Sequence, residues 1–133
     1  GRRAAGEDME TVLIDTSVLI GRFRREPRAM AALARVDGCS FVLNDAIVAE
    51  VLAGTRTKAE YAATKNELFA KFHVLPLTSE VSVCFRTNLD RIDIGRDIHF
   101  ADHLIAATAL AHSIPLLTLN KKHFIGVKGL QLA

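Results

Sequence analysis

The stretch TVLIDTSVLI, residues 11–20, combines a short apolar run with an abrupt polar stop. The unbroken apolar run 12–14 is typical of a strand buried on both faces, as in a parallel sheet. Asp15 ends the run, and Thr16 and Ser17 can cap the helix that follows. Ligands of open parallel α/β sheets bind at the carboxyl edge of the strands. We therefore predict that Asp15 is one arm of an acidic cluster that holds a metal ion.

The rest of the chain alternates strand and helix patterns. Further strands are predicted at 40–44, at 73–77, where Pro76 cuts the strand short, and at 115–120, with LQL at 130–132 as an edge strand. Helices are predicted from Pro27 to a stop at Gly38, over 46–53 with Asp45 as N-cap, over 55–72 as one helix or a hairpin, from 78 or 79 to near 95, and over 101–113. This alternation predicts an α/β fold with three α/β/α layers around a parallel sheet of four to five strands.

Length and composition set the broad class. A chain of 133 residues fits one domain, which we place at 9–133, with 1–8 as a disordered lead or an expression remnant. The net charge of +2 is too small to predict nucleic-acid binding, although a local basic patch would suffice. No apolar run reaches the ~18 residues of a membrane span. Cys39 and Cys84 have no metal spacing and suit reduced thiols, so we expect a cytoplasmic protein without a membrane.

Three further polar residues belong to the same edge of the predicted sheet, and each also has an ordinary explanation. Glu50 points about 130° away from the apolar stripe of its helix, as a solvated surface residue would. Asp102 lies in a first helical turn, where it complements the helix dipole. Asn120 ends a strand, where a polar residue is common. The histidines show no paired spacing, so zinc is not expected.

Four segments resemble the PIN domain, and in particular the VapC-type ribonuclease toxins of prokaryotic toxin–antitoxin pairs. They are the opening DTSVLI, AEVLAG at 49–54, GRDIHFADHLIAATALAH at 95–112, and IPLLTLNKKHF at 114–124. The match runs in the same order from about residue 12 to residue 132. The resemblance implies the strand order 3-2-1-4-5 and a cluster of acidic residues that binds Mg²⁺ or Mn²⁺.

The resemblance also assigns roles in the hydrolysis of RNA phosphodiester bonds. Asp15, Glu50 and Asp102 fall on the three core acidic positions and would hold the metal. Asn120 takes a fourth position that is often Asp, so it would assist the metal site without contributing a negative charge. Whether one or two metal ions bind therefore stays open. The small hydroxyl positions that support the cluster are Thr16, Ser17 and Thr118.

An RNA substrate must bring phosphates to this acidic centre, so basic residues should rim it. The candidates are Arg22, Arg24, Arg25, Arg28, Lys121 and Lys122, and a solvated charged face explains the same residues. One Tyr and no Trp give no evident aromatic set for stacking single-stranded RNA. The resemblance further implies a VapB-type antitoxin partner and a homodimer. Exposed apolar residues that suit such contacts are Leu33, Phe69 and Phe72.

Two other classes compete with a ribonuclease. A haloacid-dehalogenase-type phosphotransferase needs a second Asp two residues after the first, and Ser17 stands there instead. A non-catalytic module that kept the fold for protein binding is the other alternative, favoured by the missing fourth carboxylate at Asn120. Calorimetry with divalent metals discriminates it, because an inert module would bind none.

Overall fold

The computed structural model describes residues 10–91 and 99–133. The predicted lead 1–8 and most of the predicted turn at 95–100 lie outside the described residues. The elements in chain order are β1 (Thr11–Ile14), α1 (Thr16–Phe23), α2 (Pro27–Arg35), β2 (Ser40–Asn44), α3 (Asp45–Ala53), α4 (Lys58–Lys71), β3 (His73–Leu75), α5 (Ser79–Leu89), α6 (Phe100–His112), β4 (Leu116–Leu117) and a 3₁₀ helix (Lys121–His123).

The sheet is parallel and has the order β3-β2-β1-β4, which confirms the predicted α/β/α fold and the order of its first four strands. The predicted edge strand at 130–132 contributes one parallel bridge, between Leu116 and Leu132. Two hydrogen bonds accompany it, from Leu116 N to Gln131 O at 2.9 Å and from Ala133 N to Leu116 O at 2.8 Å. The fifth position is thus filled by a bridge and not by a regular strand.

β3 ends at Leu75, as predicted, because Pro76 has no N–H and cannot continue the ladder. The last strand, in contrast, is shorter than its sequence pattern predicts. β4 ends at Leu117 because side-chain hydroxyls take the next backbone donors. The N–H of Leu119 donates to Ser17 Oγ at 3.0 Å, and the N–H of Asn120 donates to Thr118 Oγ1 at 3.0 Å. The chain therefore leaves the sheet at the point where the polar site begins.

Four helix starts differ from the predictions. Asp15, and not Thr16 or Ser17, is the N-cap of α1, and α6 begins at Phe100, one residue early. The starts of α3 and α4 differ as well. Asn44, and not Asp45, is the N-cap of α3, with its Oδ1 accepting from Ile47 N at 2.9 Å. Asn44 is fully buried and also donates to Thr108 Oγ1 at 2.8 Å, so it joins the end of β2 to α6. The segment predicted over 55–72 is a single helix, α4, which begins later because Thr57 is its N-cap.

The central strand β1 carries the core. Val12, Leu13 and Ile14 are at most 2% exposed, as predicted for a strand covered on both faces. Burying each such side chain stabilises the fold by about 1.5–3 kcal/mol. The prediction that Leu33 and Phe72 are exposed was wrong, since both side chains are half-buried against this core. Phe69 is exposed. In the described part of the chain, no helix combines the length and apolarity that crossing a membrane requires.

Candidate active site

Asp15 is held at the carboxyl edge of β1 with an oriented carboxylate. Its side chain is buried, and Oδ2 accepts hydrogen bonds from Ser17 Oγ at 2.7 Å and Thr118 Oγ1 at 2.8 Å. Asp15 occupies the N-cap position of α1, but its side chain makes no capping hydrogen bond. The ordinary explanation of Asp15 as a helix cap therefore does not account for the placement of this carboxylate.

The two hydroxyls that hold Asp15 are themselves fixed. Ser17 Oγ accepts from the N–H of Leu119, and Thr118 Oγ1 accepts from the N–H of Asn120, both at 3.0 Å. Each hydroxyl therefore points its hydrogen at Asp15, because its oxygen already serves a backbone donor. Hydrogen bonds to charged groups contribute about 1.5–3 kcal/mol, so this arrangement both orients the carboxylate and joins β1 to the segment after β4.

Glu50 lies on α3 opposite Asp15. It is largely exposed, as expected for a surface position, and its Oε1 accepts a hydrogen bond from Thr16 Oγ1 at 2.7 Å. Desolvation raises the pKa of Glu50, the hydrogen bond from Thr16 lowers it, and the negative charges of Asp15 and Asp102 raise it further. The net shift is upward, and Asp15 and Asp102 are close enough for their charges to contribute to it.

Asp102 lies in the first turn of α6 and faces a histidine that our sequence analysis did not assign to the site. His123 Nδ1 is 3.0 Å from Asp102 Oδ2. An ionised carboxylate only accepts, so Nδ1 carries the hydrogen of this bond. The His123 ring stacks on His99, with 5.0 Å between centroids and 1° between planes. The sequence indicated this position of His123 only weakly, because His123 comes three residues after Asn120, which ends the predicted strand.

One open pocket of about 560 Å³ brings all four predicted catalytic residues together. Asn120 is exposed at its rim, one residue before the 3₁₀ helix. The pocket is lined by Asp15, Thr16, Ser17, Ile20, Glu50, His99, Phe100, Ala101, Asp102, Asn120 and His123. Thr118 supports it from below through Asp15. The catalytic roles of these residues remain predictions that their shared location makes chemically reasonable.

The donor atoms suit a hard divalent cation. Carboxylate and amide oxygens are ligands for Mg²⁺ and Mn²⁺, and a nearby cation would offset both the desolvation and the neighbouring negative charges that raise the pKa of Glu50. Within residues 10–91 and 99–133, however, no three acidic, histidine or cysteine side chains stand close enough to ligate one ion. The chemistry of the donor set fits the cation, and the carboxylates must approach one another to bind it.

The predicted basic residues fall into three places. Arg28, Lys121 and Lys122 line a groove of about 470 Å³ that also contains Thr118. Arg35, which the sequence analysis missed, lines the same groove from one helical turn beyond Ala31. Arg22 lies elsewhere, 5.7 Å above the Phe72 ring. Arg24 and Arg25 are exposed in the turn between α1 and α2.

Comparison with known proteins identifies the family to which this chain belongs. The family model described as the PIN domain matches residues 12–130. The chain therefore belongs to the PIN-domain family, as its sequence motifs predicted.

Relatives with names agree with this assignment. The chain is 35% identical over 116 residues to Ribonuclease VapC19 of Mycobacterium tuberculosis, covering 84% of this chain and 90% of that one. It is 33% identical over 122 residues to Ribonuclease VapC10 of the same species, covering 85% of each.

The solved structure of VapBC-1 from nontypeable Haemophilus influenzae matches with a TM-score of 0.78 at 21% identity, over 92% of this chain and 96% of that one. DNA-bound VapBC from Salmonella typhimurium matches with a TM-score of 0.75 at 17% identity, over 94% and 98%. At these identities the structural likeness shows the fold alone.

Proposed function

We propose that this chain is a divalent-metal-dependent endoribonuclease and the toxin of a VapBC-type toxin–antitoxin pair. The observation that carries the proposal is the buried, oriented carboxylate of Asp15 in one pocket with Glu50 and Asp102. The names of the M. tuberculosis relatives support the reaction, because both are called ribonucleases at 33–35% identity. Their wide coverage of this chain supports the same activity here.

The proposed ligands of the ion, Mg²⁺ or Mn²⁺, are Asp15, Glu50 and Asp102, with Asn120 assisting through its amide oxygen. The bound ion supplies Lewis-acid activation of the phosphoryl group and a lowered pKa for water. The protein contributes orientation: Ser17 and Thr118 fix Asp15, and Thr16 restrains Glu50. His123 restrains Asp102 through Oδ2 and leaves Oδ1 outside that hydrogen bond.

The groove lined by Arg28, Arg35, Lys121 and Lys122 is the proposed site for the substrate's phosphates. It adjoins the acidic pocket at Thr118 and Asn120, so a strand held there places a phosphodiester close to the carboxylates. Contacts of this kind give affinity that is independent of sequence and that falls as salt rises. The total charge of +2 therefore understates the local positive charge.

The competing classes are less well supported. In place of the second Asp of a haloacid-dehalogenase-type site, Ser17 donates its hydroxyl to Asp15 and binds Leu119 N. Ser17 thus orients the first carboxylate and cannot act as a second one. The non-catalytic module remains the alternative that the experiment below tests.

The experiment is RNA cleavage by the full chain with Mg²⁺ or Mn²⁺ and with a chelator. We expect cleavage with metal, none with chelator, and at least a hundredfold loss in Asp15→Ala, since removal of a metal-binding catalytic group typically costs several kcal/mol. Asp45→Ala is the matched control, because Asp45 is exposed at the start of α3 outside the pocket. Undiminished activity in Asp15→Ala would refute the site. No cleavage and no divalent binding by calorimetry would favour the inert module.

A VapB-type antitoxin is the proposed protein partner, as the titles of the VapBC structural neighbours suggest. The surface we assign to it is an apolar groove of about 530 Å³ between α1, α2 and α4, which includes Met30, Leu33 and Phe72. Met30 is 47% exposed, so Met30→Asp should impair binding of the antitoxin encoded next to this gene without unfolding the toxin. RNA cleavage by Met30→Asp should persist and resist inhibition by that antitoxin.

The homodimer and the cytoplasmic location belong to the same proposal. Exposed Phe69 on α4 is the remaining apolar candidate for contact between two copies. Light scattering after size-exclusion chromatography tests the dimer, and a clean monomer at micromolar concentration would count against it. The cytoplasm is the compartment in which an RNA substrate and two reduced cysteines are expected together.

A further inference from the structure

We propose that His99, Phe100 and His123 form an aromatic platform on which an unpaired base of the substrate stacks. This inference rests on the proposed ribonuclease function and adds to it the side chains that contact a base of the bound strand. The three rings line the mouth of the acidic pocket. Composition alone indicated no aromatic set for stacking, because the chain has one Tyr and no Trp.

The rings have the exposure and support that a stacking site needs. Phe100, the first residue of α6, is 63% exposed, although burying such a ring is ordinarily favourable. The ring of Phe85 contacts it edge-on, with 5.8 Å between centroids and 80° between planes. Phe100 is therefore supported on one side and open on another. Bases stack on histidine and phenylalanine rings alike in RNA-binding proteins.

The platform is joined to the acidic centre. His123 is held by Asp102 at 3.0 Å, and His99 lies parallel to His123 at 5.0 Å. Both imidazoles are exposed, so a face of this stacked pair is accessible. Because one end of the pair contacts a proposed metal ligand, a base stacked there belongs to a nucleotide near the phosphodiester that is cut.

The basic groove indicates the path of the bound strand across the protein surface. Residues 118–123 contribute to both features: Thr118, Lys121 and Lys122 line the groove, whereas Asn120 and His123 line the acidic pocket. A strand that crosses this segment has phosphates among cations on one side and a base at the platform on the other. A paired base has both faces covered within a duplex, so the platform selects an unpaired one.

The experiment measures RNA binding without turnover, by fluorescence anisotropy in a chelator at fixed salt. The probes are a short labelled oligo(A) strand and a strand of the same length built from abasic ribonucleotides. Phe100→Leu should bind oligo(A) about tenfold more weakly than the wild type, because stacking on an aromatic side chain is lost. Phe100→Trp should bind at least as well as the wild type. On the abasic strand, all three proteins should bind equally.

Tyr61→Leu is the matched control, because Tyr61 is an exposed aromatic residue on α4 that does not line the pocket. Its affinity for oligo(A) should equal that of the wild type. Equal binding of oligo(A) by Phe100→Leu and wild type, or an equal loss on the abasic strand, overturns the platform. If the wild type still cleaves RNA in that case, the proposed ribonuclease function is retained and only the platform is rejected. A wild-type chain that neither binds nor cleaves RNA overturns both.

Discussion

The acidic pocket has a strand side and a helix side, which hold their carboxylates in different ways. On the strand side, Asp15 is 3% exposed and its Oδ2 accepts from two hydroxyls that lie 101 residues apart in sequence. On the helix side, Glu50 and Asp102 are more accessible, and they are hydrogen-bonded to Thr16 and His123, respectively. One side is oriented by the fold, and the other is restrained by single side-chain contacts.

This difference suits a site that gathers around a cation. Three carboxylates held together rigidly would repel one another. After desolvation, which is the largest cause, the charges of Asp15 and Asp102 already contribute to the raised pKa of Glu50. In the proposed metal site, a fixed Asp15 would define where the ion binds, and the two helix-borne carboxylates would approach it. Changes on the strand side should therefore have larger effects on activity than changes on the helix side.

The largest effect in this comparison is expected from removing both hydroxyls that hold Asp15. Ser17→Ala combined with Thr118→Val should lower kcat and Mg²⁺ affinity about 10–100-fold, as loss of groups that orient metal ligands typically does. Cleavage assays and calorimetry measure the two quantities. Thr87→Val is the control, because Thr87 donates only to a carbonyl of its own helix. Unchanged kcat in the double variant would show that Asp15 does not depend on this orientation.

A smaller effect is expected on the helix side, at His123. The amide nitrogen of Asn can replace Nδ1 as a donor to Asp102, whereas the longer side chain of Gln places its amide elsewhere. We expect His123→Gln to weaken Mg²⁺ binding about tenfold and His123→Asn to stay within a few-fold of the wild type. Calorimetry without RNA separates this from any effect on stacking. Equal losses in both variants would mean that the donor to Asp102 is not what matters.

Most of the fold was predictable because each strand carries its own signal. The apolar run before Asp15 predicted a strand covered on both faces, and Val12 to Ile14 are buried as expected. The errors come from side chains that bind backbone groups beyond their own element. Asn44 caps α3 while bonding to Thr108, and Ser17 ends β4 by taking Leu119 N. Such contacts depend on tertiary proximity, which local patterns do not contain.

The site was predictable in part for a similar reason. Asp15, Glu50, Asp102 and Asn120 were identified by their motifs, and the fold brings them to one pocket. The residues that were missed are defined by neighbours distant in sequence: Arg35 lines the same groove as Lys121 and Lys122, and His123 contacts Asp102. A helix wheel also made Glu50 look like an ordinary surface residue, because an open pocket is part of the surface.

A gain is expected from restoring the fourth carboxylate. Asn120 is exposed at the rim, where a negative charge would meet the ion with little desolvation. Asn120→Asp should tighten Mg²⁺ binding by a few-fold, or add a second binding event, because an additional charged oxygen favours a hard cation. Calorimetric affinity and stoichiometry test this. Asn66→Asp on exposed α4 is the control for net charge alone. Identical isotherms for Asn120→Asp and the wild type would place residue 120 outside the metal site.

The smallest effect concerns stability, and it opposes function. The pKa of Glu50 is raised above its ordinary value of 4.5, so the fold favours the protonated carboxyl. The stability from this group is complete below the unfolded pKa and is lost as pH rises through the folded value. At neutral pH the ionised Glu50 therefore destabilises the metal-free protein, although solvent reduces the cost because the side chain is partly exposed.

Glu50→Gln removes the charge but keeps an oxygen that can accept from Thr16. In a chelator at pH 7 we expect its Tm to exceed that of the wild type by about 1–3 °C, corresponding to less than about 1 kcal/mol. The difference should disappear below the unfolded pKa, where the wild-type carboxyl is protonated in both states. Added Mg²⁺ should then stabilise the wild type more than Glu50→Gln, reducing the gap. A lower Tm for the variant at pH 7 would show that favourable contacts of the ionised Glu50 outweigh its desolvation and the charges of Asp15 and Asp102.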